Sequence, residues 1–398
     1  MEWKKYTLDD VCQEITSGGA APQGESYYGG EFPFVRVADM GQLGNAKFLA
    51  RTRDYLNESG IAKLRLFPKG TVLFTKSGAS LLLNQRAVLE NPMYVVSHIG
   101  CLLPNEVVTS DWLYYWMKTV DFRKNAHATT LPSLKLTTLK GLQISVPSLS
   151  EQLRIVSRIE ELFSELDNSV STLQKTKEQL AVYRQASITS AYPIMTEENT
   201  KRLSEISDIT GGITKGRDLK KAETVYLPYL RVANVQNGFL DLTEIKEIEL
   251  KVDEKEKYLL KKGDVLYTEG GDRDKLGRGT VWNEEITNCV HQNHVFRARV
   301  DRKLAIPEYV AYWSMGSYAR TYFFRKGKQT VNLASINKTV LSNLELPIPD
   351  LAIQEKVLDE IESRLSVCDS IEHTVDTALL QAEAMRQSIL KQAFEGRL

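Results

Sequence analysis

The chain has 398 residues, and its 51 basic and 51 acidic side chains leave no formal net charge when histidine is counted as neutral. That balance excludes a histone-like polycation and an acidic disordered chain, because each of those classes needs a large excess of one sign. With 42% hydrophobic and 26% charged residues, the composition is that of a globular protein. Its length predicts two or three domains.

The sequence indicates neither secretion nor a membrane location. Met1–Tyr6 lacks the apolar stretch of roughly 7 to 15 residues that a secretory signal needs, and no segment approaches the roughly 18 apolar residues of a membrane span. The four cysteines form no C-x-x-C pair, which favours buried thiols in a reducing compartment. We therefore expect a cytoplasmic protein.

Residues 1–147 are predicted to form a mixed α/β domain. Short β-rich runs such as Phe32–Val37 and Thr71–Thr75 are separated by turns, and a helical pattern covers Trp112–Lys118. Cations that can bind phosphate stand beside amide and guanidinium groups that can make paired hydrogen bonds to purines. The candidate DNA contacts of this half are Lys63, Arg65, Lys76, Ser77, Gln85 and Arg86.

Residues 148–192 are predicted to form one long helix. Apolar residues recur at three- and four-residue intervals, no Gly or Pro interrupts them before Pro193, and a start signal precedes them. About 40 residues at 1.5 Å each make a rod of roughly 60 Å, whose narrow apolar stripe needs a partner rod. The predicted packing residues are Ile155, Ile159, Leu162, Leu166, Leu173 and Leu180.

Residues 193–347 are predicted to form a second α/β domain. Its strand-like runs include Tyr229–Val232, Val265–Thr268 and Val295–Val300, and a helical patch covers Tyr309–Tyr318. The glycine-rich run Gly270–Gly279 is interpreted as a mobile loop. The candidate DNA contacts of this half are Lys215, Arg217, Arg273, Lys275, Arg278, His291, Gln292, Asn293, Arg325, Lys326 and Lys328.

Residues 348–398 complete an internal repeat. Pro33–Asp39 returns as Pro228–Asn234, and the two predicted helices match at a constant shift. This pattern predicts a mixed α+β fold in which two pseudo-symmetric α/β domains are separated by two long helices packed as an antiparallel coiled coil. The alternative is two unrelated amphipathic helices on separate cores. The packing residues of the second helix are Val357, Ile361, Leu365, Val375, Leu379 and Ile389.

Charge differs between the four segments. Residues 1–150 carry a net charge of +3 and residues 193–350 one of +2, whereas the helical segments 151–192 and 351–398 carry −1 and −4. The globular segments are therefore mildly basic and the rods acidic. The excess alone indicates little about DNA, but basic clusters recur at corresponding places in both halves.

The sequence carries no convincing catalytic or metal-binding constellation. His291 and His294 are close in sequence but lack further metal ligands nearby, and no Walker lysine loop is present. Asn91–Tyr94 resembles the Asn-Pro-Pro-Tyr signature of adenine-amino methyltransferases, yet no glycine-rich turn for a methyl donor accompanies it. A self-contained DNA adenine methyltransferase remains one alternative, and a coiled-coil scaffold without DNA binding is another.

Several phrases resemble those of the specificity subunit of type I restriction-modification enzymes. The two helices open with phrases like those of that family, at Val146–Gln152 and Leu346–Gln354. The family's helix ends are resembled by Tyr183–Ile188 and Met385–Leu398. A phrase of its recognition domains is resembled by His291–Arg297. The first half departs from the last pattern, because Ser97–Cys101 stands in that place.

The resemblance implies a non-catalytic subunit with two target-recognition domains, each reading one half of a split double-stranded DNA target. The paired helices would set the spacing and dock two modification subunits that methylate adenine. Restriction subunits would join in the full complex. No cofactor is then expected in this chain, since S-adenosylmethionine, Mg²⁺ and ATP would belong to the partner subunits.

Overall fold

The chain folds into two compact units in a computed structural model that describes residues 3–44, 46–122, 134–216, 219, 222–329 and 334–398. The first unit combines Met1–Thr172 with Ala378–Leu398, and the second is Leu173–Thr377. Each unit therefore contains one globule, one end of the first long helix and the opposite end of the second.

The first globule contains short strands and helices in alternation. The strands are β1 (Lys4–Thr7), β2 (Cys12–Ser17), β3 (Tyr28–Val35), β4 (Phe48–Leu49), β5 (Asp54–Leu56), β6 (Leu66–Phe67), β7 (Val72–Thr75), β8 (Arg86–Leu89), β9 (Met93–Val95), β10 (Ile99–Pro104) and β11 (Gln143–Val146). The helices are α1 (Leu8–Val11), α2 (Val37–Gly41), α3 (Glu58–Ile61), α4 (Ser110–Thr119) and α5 (Leu136–Lys140), followed by the long α6 (Leu149–Ala191).

These strands form three sheets. A five-stranded sheet has the order β2-β10-β7-β8-β4, a four-stranded sheet has the order β5-β3-β9-β6, and β1 pairs with β11. Helix α4 packs on the five-stranded sheet, and the buried side chains of its residues 112–117 belong to the main core of this unit. A second core joins the two larger sheets, because it contains Phe34 and Val35 of β3 together with Leu73 of β7.

The second globule repeats this arrangement. Its strands are β12 (Thr200–Arg202), β13 (Ser207–Gly211), β14 (Thr224–Leu230), β15 (Lys246–Lys251), β16 (Asp264–Thr268), β17 (Gly270–Gly271), β18 (Gly279–Val281), β19 (Val290–His291), β20 (Val295–Val300), β21 (Lys328–Gln329), β22 (Ala334–Ser335) and β23 (Glu345–Pro347). Its helices are α7 (Leu203–Ile206), α8 (Lys255–Tyr258), α9 (Pro307–Met315), α10 (Ser317–Lys326) and α11 (Lys338–Ser342), followed by the long α12 (Leu351–Phe394).

Sheet topology confirms the internal repeat. The order β13-β20-β16-β18 corresponds to β2-β10-β7-β8, the order β15-β14-β19 corresponds to β5-β3-β9, and the pair β12-β23 corresponds to β1-β11. The described part of the second globule also has a small sheet of order β17-β22-β21. The predicted mixed α/β fold is therefore present twice.

The two long helices pack antiparallel in each unit. In the second unit Lys177 pairs with Asp376 at 2.7 Å and Arg184 pairs with Asp369, so seven residues forward in α6 correspond to seven residues backward in α12. In the first unit Asp167 pairs with Arg386, at the same register. These ion pairs lie on both helices and exclude the alternative of two unrelated amphipathic helices.

The predicted helix-packing residues differ in their surroundings. Those that are buried are Ile155, Ile159, Leu166, Leu180, Val357, Ile361, Val375 and Ile389, whereas Leu162, Leu173, Leu365 and Leu379 are half-buried. Ile155, Ile159 and Ile389 belong to the core of the first globule, and Val357 and Ile361 to that of the second. The helix ends therefore pack against a globule as well as against each other.

A buried glutamine attaches each long helix to its globule. The side-chain oxygen of Gln152 accepts a hydrogen bond from the backbone of Thr109 at 2.9 Å, and its amide donates to the carbonyls of Val107 and Pro147. Gln354 makes the same three contacts in the second unit, with Ile306, Leu304 and Pro349. Both side chains are fully buried. The helix-opening phrases of the sequence thus encode a repeated attachment.

Three local predictions were wrong. The helical patch at Tyr309–Tyr318 is two helices, α9 and α10, because Gly316 between them is extended (φ −69°, ψ 165°). Gly270–Gly279 is not an unstructured loop, since β17 pairs with β22. Strand β3 ends at Val35 rather than Val37, because Arg36 caps the next helix.

The Asn91–Tyr94 segment has no catalytic geometry. Glu90 and Asn91 form a bend, and Met93 and Tyr94 are buried in strand β9. The Tyr94 ring packs edge-on against Phe32 at 6.2 Å. An aromatic ring buried in this way cannot stack on a flipped base, so the methyltransferase alternative loses its main motif.

Candidate nucleic-acid interface

Strand register brings several loops of the second globule to one end of its main sheet. Gly211 at the end of β13 lies opposite Phe296, Thr268 at the end of β16 lies opposite Val295, and Tyr267 lies opposite Gly279. The loops that leave these strand ends therefore meet. We name this set the second recognition edge, comprising residues 212–216, 269–278 and 292–294 together with the strands β21 and β22.

Most of the candidate DNA contacts of this half lie on the second recognition edge. Those placed there are Lys215, Arg273, Lys275, Arg278, Gln292, Asn293 and Lys328. Arg325 and Lys326 are exposed at the end of α10, just before β21. Arg217 lies outside the described residues.

Contacts within the protein orient the cations of this edge. The Arg273 guanidinium stacks on the Phe324 ring at 4.1 Å, and the Lys215 ammonium lies 5.2 Å from the centre of the Tyr229 ring. Arg278 donates to the Gln236 side chain at 3.2 Å. A cation held in this way loses less conformational entropy when it binds a phosphate or a base.

The first globule has a corresponding edge. Ser17 ends β2, Ile99 begins β10 opposite Thr75, and Arg86 begins β8 opposite Phe74. We name the loops at these strand ends the first recognition edge, comprising residues 18–24, 76–85 and 96–98. It contains the candidates Lys76, Ser77 and Gln85.

A histidine turn is common to both edges. The backbone amide of Gly19 donates to the Val95 carbonyl at 2.9 Å, as that of Ile213 does to the His291 carbonyl at 2.8 Å. Ser97-His98 therefore takes the place of Asn293-His294. His98 contacts the Ser77 hydroxyl at 2.9 Å, and His294 contacts the Glu269 carboxylate at 2.6 Å.

Arg86 is buried, so its side chain is not presented on the surface of the first recognition edge as the prediction requires. Its guanidinium lies over the Phe122 ring at 4.0 Å and donates to the Asn84 side chain and to the carbonyls of Gln85 and Met117. Burial lowers its pKa to about 9. The charge pattern identified the residue, but it carried no information about which side of the strand faces the core.

The prediction of His291 as a DNA contact is also corrected, because this residue is buried as well. The side chain is fully buried, its Nδ1 donates to the Val295 carbonyl at 2.7 Å, and burial lowers its pKa to about 4. The imidazole is therefore neutral near pH 7 and holds the turn before β20 in place.

Lys63 and Arg65 are exposed but are not placed on the first recognition edge. Arg65 pairs with Glu14 at 2.6 Å, and Glu14 is three residues before the end of β2. At about 3.3 Å for each strand residue, that position is roughly 10 Å from the edge.

The prediction missed Arg36 and Arg231, which follow corresponding strands. The amide of Arg36 donates to Asp39 at 2.7 Å and that of Arg231 donates to Asn234 at 2.9 Å, while their guanidinium groups pair with Asp54 and Glu244. The signal was present in the sequence, because the repeated phrases Pro33–Asp39 and Pro228–Asn234 both contain this arginine.

Three further features of the described residues concern the grouping of metal ligands, helices that could cross a membrane, and disulfides. Among the residues that the structure describes, no three His, Cys, Asp or Glu side chains are grouped as metal ligands would be. Within the same ranges, no helix combines the length and the apolar character that crossing a membrane would take. All four cysteines are free and buried.

Comparison with known proteins identifies the family. The model of the type I restriction modification DNA specificity domain matches residues 1–180 and again residues 195–381. The chain is 22% identical to the StySPI specificity subunit of Salmonella potsdam over 84% of this chain and 76% of that protein, and equally similar to the EcoKI specificity subunit of Escherichia coli over the same shares.

Solved structures show the same fold. A chain from a structure on complex assembly and conformational transition of the type I R-M system has a TM-score of 0.75 at 17% identity, covering 100% of this chain and 98% of that one. The HsdS subunit from Thermoanaerobacter tengcongensis has a TM-score of 0.58 at 17% identity, covering 100% and 97%. The chain thus belongs to the type I restriction-modification DNA specificity family, as a non-catalytic specificity subunit.

Proposed function

We propose that this chain reads a bipartite double-stranded DNA target, with one half-site for each globule. The observation that carries the proposal is the recurrence of the recognition edge, with basic and amide side chains, in two globules of the same topology. A repeated fold with different loop residues is suited to reading two half-sites of different sequence.

The long helices are proposed to dock two modification subunits. Leu149 and Leu351 are equivalent in the repeat, as are Tyr183 and Met385, and all four side chains are at least 36% exposed. Each unit thus presents the same two apolar positions, as two copies of one partner would require. Leu351→Asp combined with Tyr183→Asp should reduce the bound copies from two to one, measured by native mass spectrometry.

The remaining elements of the proposal follow from this role. The modification subunits would carry S-adenosylmethionine, and restriction subunits would supply Mg²⁺- and ATP-dependent cleavage in the full complex. The location would be cytoplasmic. The functional segments would be residues 1–147 and 193–347 for recognition, and residues 148–192 and 348–398 for spacing and docking.

Exchange of residues 1–147 for those of another specificity subunit tests the proposal. The methylated sequence, mapped genome-wide, should change in one half-site and stay constant in the other. A change in both halves or in neither would refute the assignment of one half-site to each globule. If the assembly shows no salt-sensitive binding to duplex DNA, a scaffold without DNA binding is favoured instead, because phosphate contacts release counterions.

A further inference from the structure

An open pocket of the first globule lies beside its recognition edge. Two adjoining hollows of about 460 and 300 Å³ share Tyr28 and Arg36. The smaller one is lined by residues 21–25, which follow β2 on the edge. Strand β3 also ends at the edge, because the Val96 amide donates to the Val35 carbonyl at 3.0 Å. The pocket is thus continuous with the surface proposed to face DNA.

Two arginines line the larger hollow, and the protein holds both of them. The Arg36 guanidinium pairs with Asp54, donates to the Tyr28 hydroxyl at 2.7 Å and lies 5.6 Å from the centre of the Phe34 ring. Arg53 is anchored by its backbone amide, which donates to the Asp39 carboxylate at 3.1 Å, and its Nε lies 3.5 Å from the same carboxylate, while 54% of its side chain is exposed. Arg36 is thus fixed, and Arg53 extends toward solvent from a fixed base.

In the described part of the second globule, different side chains surround the corresponding arginine. Strand pairing places Asp54 opposite Phe34 and Tyr55 opposite Pro33, and it places Lys246 opposite Tyr229 and Glu247 opposite Pro228. An acid and an aromatic residue in the first globule thus correspond to a base and an acid in the second. In contrast, both globules have the arginine that follows the strand, as Arg36 in the first globule and Arg231 in the second. The side chains around a common framework therefore differ between the two halves.

The charges of the pocket favour a base edge over a phosphate. Arg36 and Arg53 are matched by Asp54 and Asp39, so the local field attracts an anion only weakly. A base pair presents acceptors and donors together in the major groove, and this pocket offers guanidinium donors beside a carboxylate acceptor that is about one-third exposed.

We propose that this pocket reads one base pair of the half-site that the first globule recognises, with Arg53 as the side chain that contacts the base edge and Arg36 as its positioning neighbour. The inference rests on the proposed function and adds a specificity-determining residue to it. Guanine is the expected base, because the arginine fork matches its O6 and N7 acceptors.

The test uses the assembly of this chain with its modification subunits. Methylation rates are measured on duplexes in which each position of both half-sites is varied in turn, for the wild type, Arg53→Ala and Arg53→Lys. Both variants should lose roughly 10- to 100-fold of discrimination at one position of one half-site and keep the other half-site unchanged. Lys69→Ala, which removes an exposed cation before β7 at the opposite end of the sheet, should leave discrimination intact.

Folding and alternative contacts are controlled separately. Asp39 keeps its bond to the Arg36 amide in either variant, and Arg53→Lys also keeps the charge. If the Arg53 variants bind all DNA sequences more weakly by the same factor, and the salt dependence of binding falls by about one counterion, Arg53 contacts a phosphate and the proposal is overturned. Unchanged discrimination would also overturn it. Wild-type assembly that methylates no sequence would contradict the proposed function itself.

Discussion

Gln152 and Gln354 show how one side chain can join two elements. Each sits in the first turn of a long helix and bonds to the residue that precedes α4 or α9, and to two carbonyl oxygens nearby. A buried amide that satisfies three backbone groups is costly to replace, because every lost bond leaves an unpaired polar atom away from water. These residues therefore couple the direction of the helix to the globule.

Gln152→Leu should lower the free energy of unfolding of the first unit by about 3 kcal/mol, since the backbone groups of Val107, Thr109 and Pro147 would lose their partner. Urea unfolding of the full chain measures the change. The matched control is Gln143→Ala, which removes an exposed glutamine of β11 and should cost less than about 0.5 kcal/mol. Equal effects of the two substitutions would contradict the attachment role.

His291 predicts a pH dependence for the second unit. Its folded-state pKa of about 4 lies below the ordinary 6.5, so the unfolded chain binds the proton more readily between these values. The contribution of the neutral His291 to the free energy of unfolding is complete above about pH 6.5 and falls as the pH decreases toward 4. The total decrease in the free energy of unfolding is roughly 3 kcal/mol.

Denaturant unfolding between pH 4 and 8 should show this loss in the wild type and less of it in His291→Gln, which has no titrating imidazole. Gln143→Ala is the control, because it changes an exposed residue of the first unit and should keep the wild-type pH dependence. A profile for His291→Gln that is as steep as that of the wild type would refute the assignment.

At the scale of elements, charges set the register of the long helices. Arg184 contacts Asp369 and also Glu372 at 2.8 Å, so one α6 side chain spans two positions of α12. Arg158, in contrast, pairs with Glu161 of its own helix. An ion pair between helices stabilises their association, whereas a pair within one helix stabilises only that helix.

Arg184→Met should therefore destabilise the second unit by about 1 kcal/mol at low salt and by less at 1 M salt, because the pair is partly exposed and screened. Arg158→Met should cost about 0.3 kcal/mol. Thermal unfolding at both salt concentrations compares the two variants. A larger effect for Arg158→Met would show that the interhelical charges do not set the register.

At the scale of the whole molecule, the helices carry both the attachment and the proposed spacing function. The ion pairs Asp167–Arg386 and Lys177–Asp376 share one antiparallel register, in the first and second unit respectively. A change of length in one helix alone would break the register of one of these pairs. The spacer can therefore be lengthened only by matched changes in α6 and α12.

Insertion of seven residues after Thr172, matched by seven after Thr377, should lengthen the unspecified gap of the methylated target and keep both half-sites. Seven helical residues add about 10.5 Å, which corresponds to about three base pairs at most. Genome-wide mapping of methylated adenines measures the gap. An unchanged gap would refute the spacer role. Insertion of seven residues near Leu173 alone, without a matching insertion in α12, should instead reduce assembly.

Sequence reasoning predicted the elements better than the contacts. The repeat phrases and the apolar period located α6 and α12 to within a few residues, because backbone hydrogen bonding and burial follow local patterns. The surroundings of the candidate side chains could not be predicted, since Arg86 and His291 are buried and Arg65 pairs with Glu14. Whether a polar side chain points inward depends on strand pairings distant in sequence.

The sequence by itself determined the twofold repeat, the long helices and the family, because these features depend on residue order and period. Only the tertiary structure decided which cations share an edge with Gly211 and Val295, and that Arg36 and Arg53 line one pocket. Loops far apart in the chain meet where antiparallel strands end, and register between distant strands, unlike helical period, cannot be read from neighbouring residues.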